Sequence, residues 1–332
     1  MNNYKYILLC LLAFSLSLYS CKKDKEQTKD GDTNKIGVVV ADNFNLSIFN
    51  TGLIRSGLKD KLLEAGPFTA ITPSDAAFAQ AGFTKAADVL GAEPARITAI
   101  MNYHILNGKY ELNRLPFLFN QEIRSGNGGK LFVTHWVKDA DTVLTINGSK
   151  VISQNIKASN GLIQVVDQML EPYTHELIVD AVASDRNISL FYQALQRSGL
   201  NETLKGKGPY TIFAPDNAAM TAFGLPSLEA INQMDPAVLA TVVRYHILSD
   251  RRFIYDYILS TGASMLTKQT MLDGNSVQIK LIDVFSVQGN TKSISLQGTG
   301  NTAEVQLEPA KKDVLTGNGV LHTIKSVLKI TQ

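Results

Sequence analysis

The sequence predicts an α+β protein built from two copies of one domain. Blocks of residues return at a constant spacing, and within each block helical apolar patterns precede strand-like alternation. A third observation is an N-terminal apolar run that stands apart from both copies. The chain has 332 residues, which leaves room for two domains. Hydrophobic residues make up 45% and charged residues 19%, enough apolar material to bury a core in each. The net charge of +2, with no basic stripe among aromatics, argues against nucleic acid as a partner.

The first element is the N-terminal run. Lys5 gives it one positive side chain, and the 14 residues from Tyr6 to Tyr19 carry no charge. That is short of the roughly 20 apolar residues of a membrane-spanning helix and suits the core of a secretory signal over residues 1–20. The run ends Leu18-Tyr19-Ser20-Cys21, which resembles the bacterial lipobox. The resemblance implies cleavage before Cys21 and a diacylglycerol on its thiol. Each buried methylene of such a chain contributes ~0.8 kcal/mol, so several chains hold a protein to a membrane. The rival reading is a plain signal peptide or anchor helix with an incidental cysteine. Cleavage at the lipobox removes Cys10 and blocks Cys21, leaving no thiol or disulfide and a fold that rests on packing. Residues 21–35 are polar and mixed in charge, and read as a flexible tether. Lys22 follows the cysteine where an inner-membrane lipoprotein carries Asp. By resemblance to enterobacterial sorting this implies the outer membrane, and the charged tether is similar to surface-export signals of Bacteroidetes lipoproteins.

The two copies follow, over residues 36–171 and 172–332. Arg55-Ser56-Gly57-Leu58 returns as Arg197-Ser198-Gly199-Leu200, and Gly66-Pro67-Phe68-Thr69 as Gly208-Pro209-Tyr210-Thr211. Tyr103-His104-Ile105-Leu106 returns as Tyr245-His246-Ile247-Leu248, all at an offset of 142. Asn160-Gly161-Leu162-Ile163 returns as Asn318-Gly319-Val320-Leu321 at an offset of 158, so copy two carries 16 more residues before its closing strand. The junction near Glu171-Pro172-Tyr173 is short enough to bring the domains within reach of contact.

Each copy opens with a helix whose apolar face is Ile48, Phe49, Leu53 and Leu58, or Leu190, Phe191, Leu195 and Leu200, with Gly57 and Gly199 as stops. Phe68 to Ile71 and Tyr210 to Ala214 predict buried strands. Pro73-Ser74-Asp75 and Pro215-Asp216-Asn217 then supply side chains that can cap a new helix. A further helix starts at Pro94 and at Pro236, with stripes Ile97, Ile100, Met101, Ile105 and Leu239, Val242, Val243, Ile247. Leu131 to Val137, Thr142 to Ile146, Ser276 to Leu281 and Ser293 to Leu296 alternate as strands do.

These repeated residues resemble the fasciclin domain. Copy two carries Thr211-Ile212-Phe213-Ala214-Pro215-Asp216-Asn217-Ala218-Ala219-Met220, and copy one the related Thr69 to Phe78 with Thr72 where the family has alanine. Both keep the Tyr-His pair. In the closing strand Gln164 stands at the family's His in copy one, and Lys325 at its acidic position in copy two. The resemblance covers about residues 36–332. It implies tandem domains, each a wedge of two β-sheets with helices along one side, and a role in adhesion or extracellular binding.

Motifs of catalysis and metal binding are missing from the sequence. No His pair stands four apart among His104, His135, His175, His246 and His322, and no Gly-x-Ser-x-Gly elbow occurs. Ser125 to Leu131 and Gly298 to Ala303 mimic phosphate and dinucleotide loops but read as hairpin turns, and Asp139 with Asp141 as a polar turn. No catalytic residue, metal or cofactor is therefore expected. Candidate binding residues fall in two groups. The first is the repeated pairs Tyr103-His104 and Tyr245-His246. In animal relatives this segment is proposed to contact integrins, an implication of the resemblance. The histidines fall on the core stripe of their helices, which favours a structural lock, while Tyr103 and Tyr245 lie beside it with access to the surface. The second group is the aromatics and arginines of segments that differ between copies. These are Phe117, Phe119, Arg124 and Trp136 in copy one, and Arg251, Arg252, Tyr255 and Tyr257 in copy two. The function expected is a non-catalytic, lipid-anchored envelope protein that binds an extracellular protein or glycan. Glycan capture for a polysaccharide-uptake system and a purely architectural role are the alternatives.

Overall fold

The computed structural model describes residues 32–286 and 289–331; the expected signal segment, the Cys21 attachment and most of the tether lie outside the described residues. Copy one runs α1 (Ile36–Ala41), α2 (Ser47–Arg55), α3 (Leu58–Lys61), β1 (Phe68–Pro73), α4 (Asp75–Gln80), α5 (Ala86–Gly91), α6 (Pro94–Tyr103) and β2 (Ile105–Asn107), then β3 (Gln121–Arg124), β4 (Lys130–Lys138), β5 (Asp141–Ile146), β6 (Ser149–Ala158) and β7 (Gly161–Val166). Copy two repeats the order with α7 (Ile178–Ser184), α8 (Ser189–Arg197), α9 (Leu200–Leu204), β8 (Tyr210–Pro215), α10 (Asn217–Ala222), α11 (Leu228–Gln233), α12 (Pro236–Arg244) and β9 (Ile247–Leu248). It adds α13 (Ile254–Ser260) before β10 (Leu266–Thr270), β11 (Ser276–Ser286), β12 (Gly289–Gln297), β13 (Val305–Gln306), β14 (Val314–Thr316) and β15 (Gly319–Ile324).

The local chemistry explains the boundaries. Gly57 and Gly199 take left-handed φ values of 72° and 75°, a conformation glycine adopts without penalty, and the chain turns there into α3 and α9. The Ser74 hydroxyl accepts from the Ala77 N–H and the Asp216 carboxylate from the Ala219 N–H, capping α4 and α10. Glu93 and Asp235 cap α6 and α12, each with proline as the next residue. The helical stripes end earlier than expected. Ile105 and Ile247 begin β2 and β9, because α6 and α12 stop at Tyr103 and Arg244.

In copy one the strand order is β2-β1-β7-β6-β5-β4-β3. β1 pairs with β7 in parallel and with β2 antiparallel, so all six of its residues are buried. β6 pairs with β7 and with β5, and its register slips twice between Val151 and Ile156; such bulges bend a strand, and this one carries the chain from one arm of the wedge to the other. In copy two that strand is divided into β13 and β14, and two four-stranded sheets result, β10-β11-β12-β13 and β14-β15-β8-β9. The additional residues of copy two enter α13 and the loops around β13. Each copy has two apolar centres. One lies under the helices (Phe49, Leu53, Met101; Phe191, Leu195, Val243) and one between the sheets (Leu131, Val133, Leu144; Val277, Ile279, Ile294).

Candidate functional site at the junction of the two copies

The Tyr-His pairs sit where a helix hands over to a strand, and both side chains of each pair are buried. The Nδ1–H of His104 donates to the Ile100 carbonyl at 2.8 Å, and its Nε2 accepts from the Leu170 N–H at 3.2 Å. His246 makes the same two bonds, to Val242 at 2.8 Å and from Leu328 at 2.9 Å. Both ring nitrogens are used, which fixes the tautomer. Burial pushes both imidazoles down to about 4, so they are neutral. Access of Tyr103 and Tyr245 to the surface is not met. The Tyr103 hydroxyl donates to the Lys130 carbonyl at 2.5 Å, and that of Tyr245 to Ser276 at 2.8 Å. Each phenol thus ties the end of its helix to the far sheet.

Of the two positions that depart from the fasciclin pattern, Gln164 makes bonds equivalent to those of His322, and Lys325 makes bonds of another kind than Asp167. His322 accepts from the Asp313 N–H at 3.1 Å and donates to the Arg252 carbonyl at 3.0 Å. Gln164 accepts from the Asn155 N–H at 3.0 Å and donates toward the Tyr110 carbonyl at 3.5 Å. Asp167 accepts from Ser149 and the Lys150 N–H, whereas Lys325 pairs with Asp216 and Glu308. Asn160 and Asn318 play one role: each accepts from the first N–H of α1 or α7 and donates to two carbonyls where α3 or α9 ends.

The differing segments meet at β4. Leu131, Val133 and His135 turn toward copy one, and the His135 Nδ1–H donates to the Leu115 carbonyl at 2.7 Å. Lys130, Phe132, Thr134, Trp136 and Lys138 occupy the opposite face, as period-two geometry requires. Copy two covers that face. The Arg251 guanidinium lies 3.7 Å from the Phe132 ring centroid, and Phe132, Phe253 and Val320 form a small shared core. The Thr134 hydroxyl donates to Asp256 at 2.9 Å, the Lys138 ammonium to the Thr261 carbonyl, and Lys130 reaches the Gly317 carbonyl at 3.5 Å. The Asn120 amide donates both to the Arg251 carbonyl at 2.7 Å and to Asp256 at 2.9 Å. Trp136 packs on Phe119 with centroids 4.5 Å apart, and the Arg252 guanidinium lies 4.5 Å from the Phe119 centroid. Gly148 makes room for Phe253, since a Cβ there would stand 2.8 Å from the Phe253 Cβ.

Two buried charges define the electrostatics of this junction. Asp256 is fully buried, and burial pushes its carboxyl up to about 6 against three donors that favour the anion. Arg251 is buried, and among the described residues it forms no ion pair with a carboxylate; burial lowers it to about 10, and it stays charged by donating to the carbonyls of Thr316, Gly317 and Gly319. It pins the β14–β15 turn against β4.

The fasciclin domain profile matches residues 44–172 and 186–330. The chain belongs to the fasciclin domain family. Human periostin is 25% identical over 281 residues, covering 82% of this chain and 29% of periostin. The pig transforming growth factor-beta-induced protein ig-h3 is 32% identical over 188 residues, 56% of this chain and 24% of that protein. The chain therefore spans less than a third of the length of either relative. A solved FAS1 domain pair from the insect cell adhesion molecule Fasciclin I is similar at a TM-score of 0.40 and 17% identity, over 85% of this chain and 95% of that one.

The remaining candidates distribute over the fasciclin pair as follows. Tyr255 is half-buried, and burial raises its phenol with the Asp167 carboxylate adding to the effect. Tyr257 is fully buried against Phe213 in fasciclin domain 2, far from solvent. Arg124 pairs with Glu122 on exposed β3 at 2.6 Å. Phe117 is 50% exposed and lies over the His135 ring at 4.3 Å. Its neighbour Leu118, whose carbonyl accepts from the His135 N–H, is 54% exposed, and Val137 on the same strand is 46% exposed. Asn120, Thr134 and Asp256 escaped the sequence reading because they belong to no motif. The polar-aromatic alternation Lys130, Phe132, Thr134, Trp136, Lys138 was their visible signal.

Proposed function

We propose that the protein is a non-catalytic binding protein of the bacterial cell envelope, lipid-anchored through Cys21 at the outer membrane, that presents its two fasciclin domains as one unit to an extracellular protein or glycan. The observation that carries this reading is the exposed apolar patch of Phe117, Leu118 and Val137, built on the segment that differs between the domains and backed by the buried junction. A patch of this kind on a fixed support suits recognition. The Tyr-His pairs take no part in this reading, because they are buried and their polar atoms are occupied in holding the fold. Among the described residues, no helix is long and apolar enough to cross a membrane, which is compatible with attachment through a lipid.

The test is an array of glycans and extracellular proteins probed with the soluble chain and with Phe117→Ala/Leu118→Ser. A saturable protein signal lost in the variant, at an unchanged melting temperature, supports adhesion. A glycan signal lost in the same way turns the reading to glycan capture. No signal on either would leave an architectural role and sink the binding claim.

A further inference from the structure

We propose a second binding site, on fasciclin domain 2 alone, for a single-chain amphipathic anion of the fatty-acid class. It goes beyond the reading above and stands without it. A groove of about 440 Å³ runs between the end of α10, α12 and residues 328–331. Phe223, Val242, Leu328 and Ile330 give it an apolar wall, and Lys329 is the one charged side chain among its lining residues. The Lys329 ammonium stands 5.9 Å from the Phe223 ring centroid, and among the described residues it has no ion-pair partner. A second recess, of about 290 Å³, joins the first at Ala222, Phe223 and Lys329, and is lined by the polar turn Gly300 to Glu304. Glu304 does not answer the lysine, since it is held by Lys280 at 2.6 Å and by Ser295 at 2.8 Å.

An apolar channel and a polar recess thus meet at an ammonium that lacks a counter-ion. Apolar surface gains from an alkyl chain at roughly 0.8 kcal/mol per buried methylene, and the exposed Lys329 ammonium adds a salt-screened attraction for an anion held beside it. One molecule satisfies both: a carboxylate beside Lys329 with its chain along Val242, Leu328 and Ile330. Fasciclin domain 1 provides the contrast. Leu170 bonds to His104 as Leu328 bonds to His246, so Glu171 is the counterpart of Lys329, and it is already paired with Arg96 at 2.6 Å. Ala81 stands at the place of Phe223. The charge is reversed and satisfied there, and the aromatic wall is gone.

Titration calorimetry of the purified protein with decanoate, below its micelle concentration, tests the site. One decanoate per chain is expected, with decanol about ten-fold weaker, Lys329→Ala about ten-fold weaker for decanoate, and Glu171→Gln unchanged. Ala222→Trp, at an exposed helix end where the fold tolerates it, fills the groove and abolishes binding. Absence of decanoate binding, or equal binding by decanol or by the Lys329→Ala and Ala222→Trp proteins, overturns the proposal. So does binding to anionic phosphatidylglycerol vesicles without binding to monomeric decanoate, which marks a surface attraction and not a chain site.

Discussion

At the scale of single residues, three histidines set the acid response. His104, His246 and His322 are buried and neutral, each held by burial at about 4 against an ordinary value near 6.5. The unfolded chain takes up protons that the folded chain refuses between those values. Their contribution to stability is therefore present above pH 6.5 and lost as pH falls toward 4. Asp256 has the opposite sign: its raised pKa gives a contribution present below pH 3.8 and lost as pH rises through about 6. Gln164 shows that glutamine can make both bonds of His322 without titrating. His322→Gln is expected to fold and to lose less melting temperature than the parent between pH 7 and pH 5. An equal loss in both proteins counts against this assignment. The lock formed by the histidines was legible in their place on the apolar stripe. The burial of Tyr103 was not, because its partners Lys130 and Asn147 lie 27 and 44 residues away, across a sheet that helix periodicity does not describe.

At the scale of elements, β4 and α13 account for the difference between the copies. Most strands and both repeated capping prolines could be read from the sequence, since alternation and caps are local signals. Helix α13 could not. Seven residues hold less than two full turns of pattern, and its N-terminal cap comes from Asp256 inside the helix, which accepts from the Phe253 N–H at 2.9 Å. The outward face of β4 was visible as polar-aromatic alternation, but the sequence does not say what covers it. Removing Asp256 would leave the Thr134 hydroxyl and the Phe253 N–H without their acceptor, and the Asn120 amide with the Arg251 carbonyl in place of two acceptors. Asp256→Ala is expected to cost about 3 kcal/mol in urea unfolding at pH 7. Asp256→Asn, which keeps an acceptor for part of that set, should cost less. A loss below about 0.5 kcal/mol for the alanine variant would remove Asp256 from the account.

At the scale of the molecule, the duplication yields two similar wedges, and divergence supplies the surface that joins them. The repeated residues hold each domain: Asn160 and Asn318 at the entry, the Tyr-His pairs at the helix ends. The residues that differ, Phe132 and Thr134 on one side and Arg251 and Asp256 on the other, meet each other. That division places most aromatics and arginines of the divergent segments in the junction or the core, while Phe117 and Arg124 face solvent. Two domains sharing a buried arginine, a buried carboxylate and an apolar cluster should unfold together. The most direct measurement is differential scanning calorimetry of the parent and of Arg251→Ala, which withdraws the guanidinium from Phe132 and from three carbonyls. One transition is expected for the parent, with calorimetric and van't Hoff enthalpies in agreement, and two separated transitions for the variant. Two independent transitions in the parent, unmoved by the substitution, would contradict it.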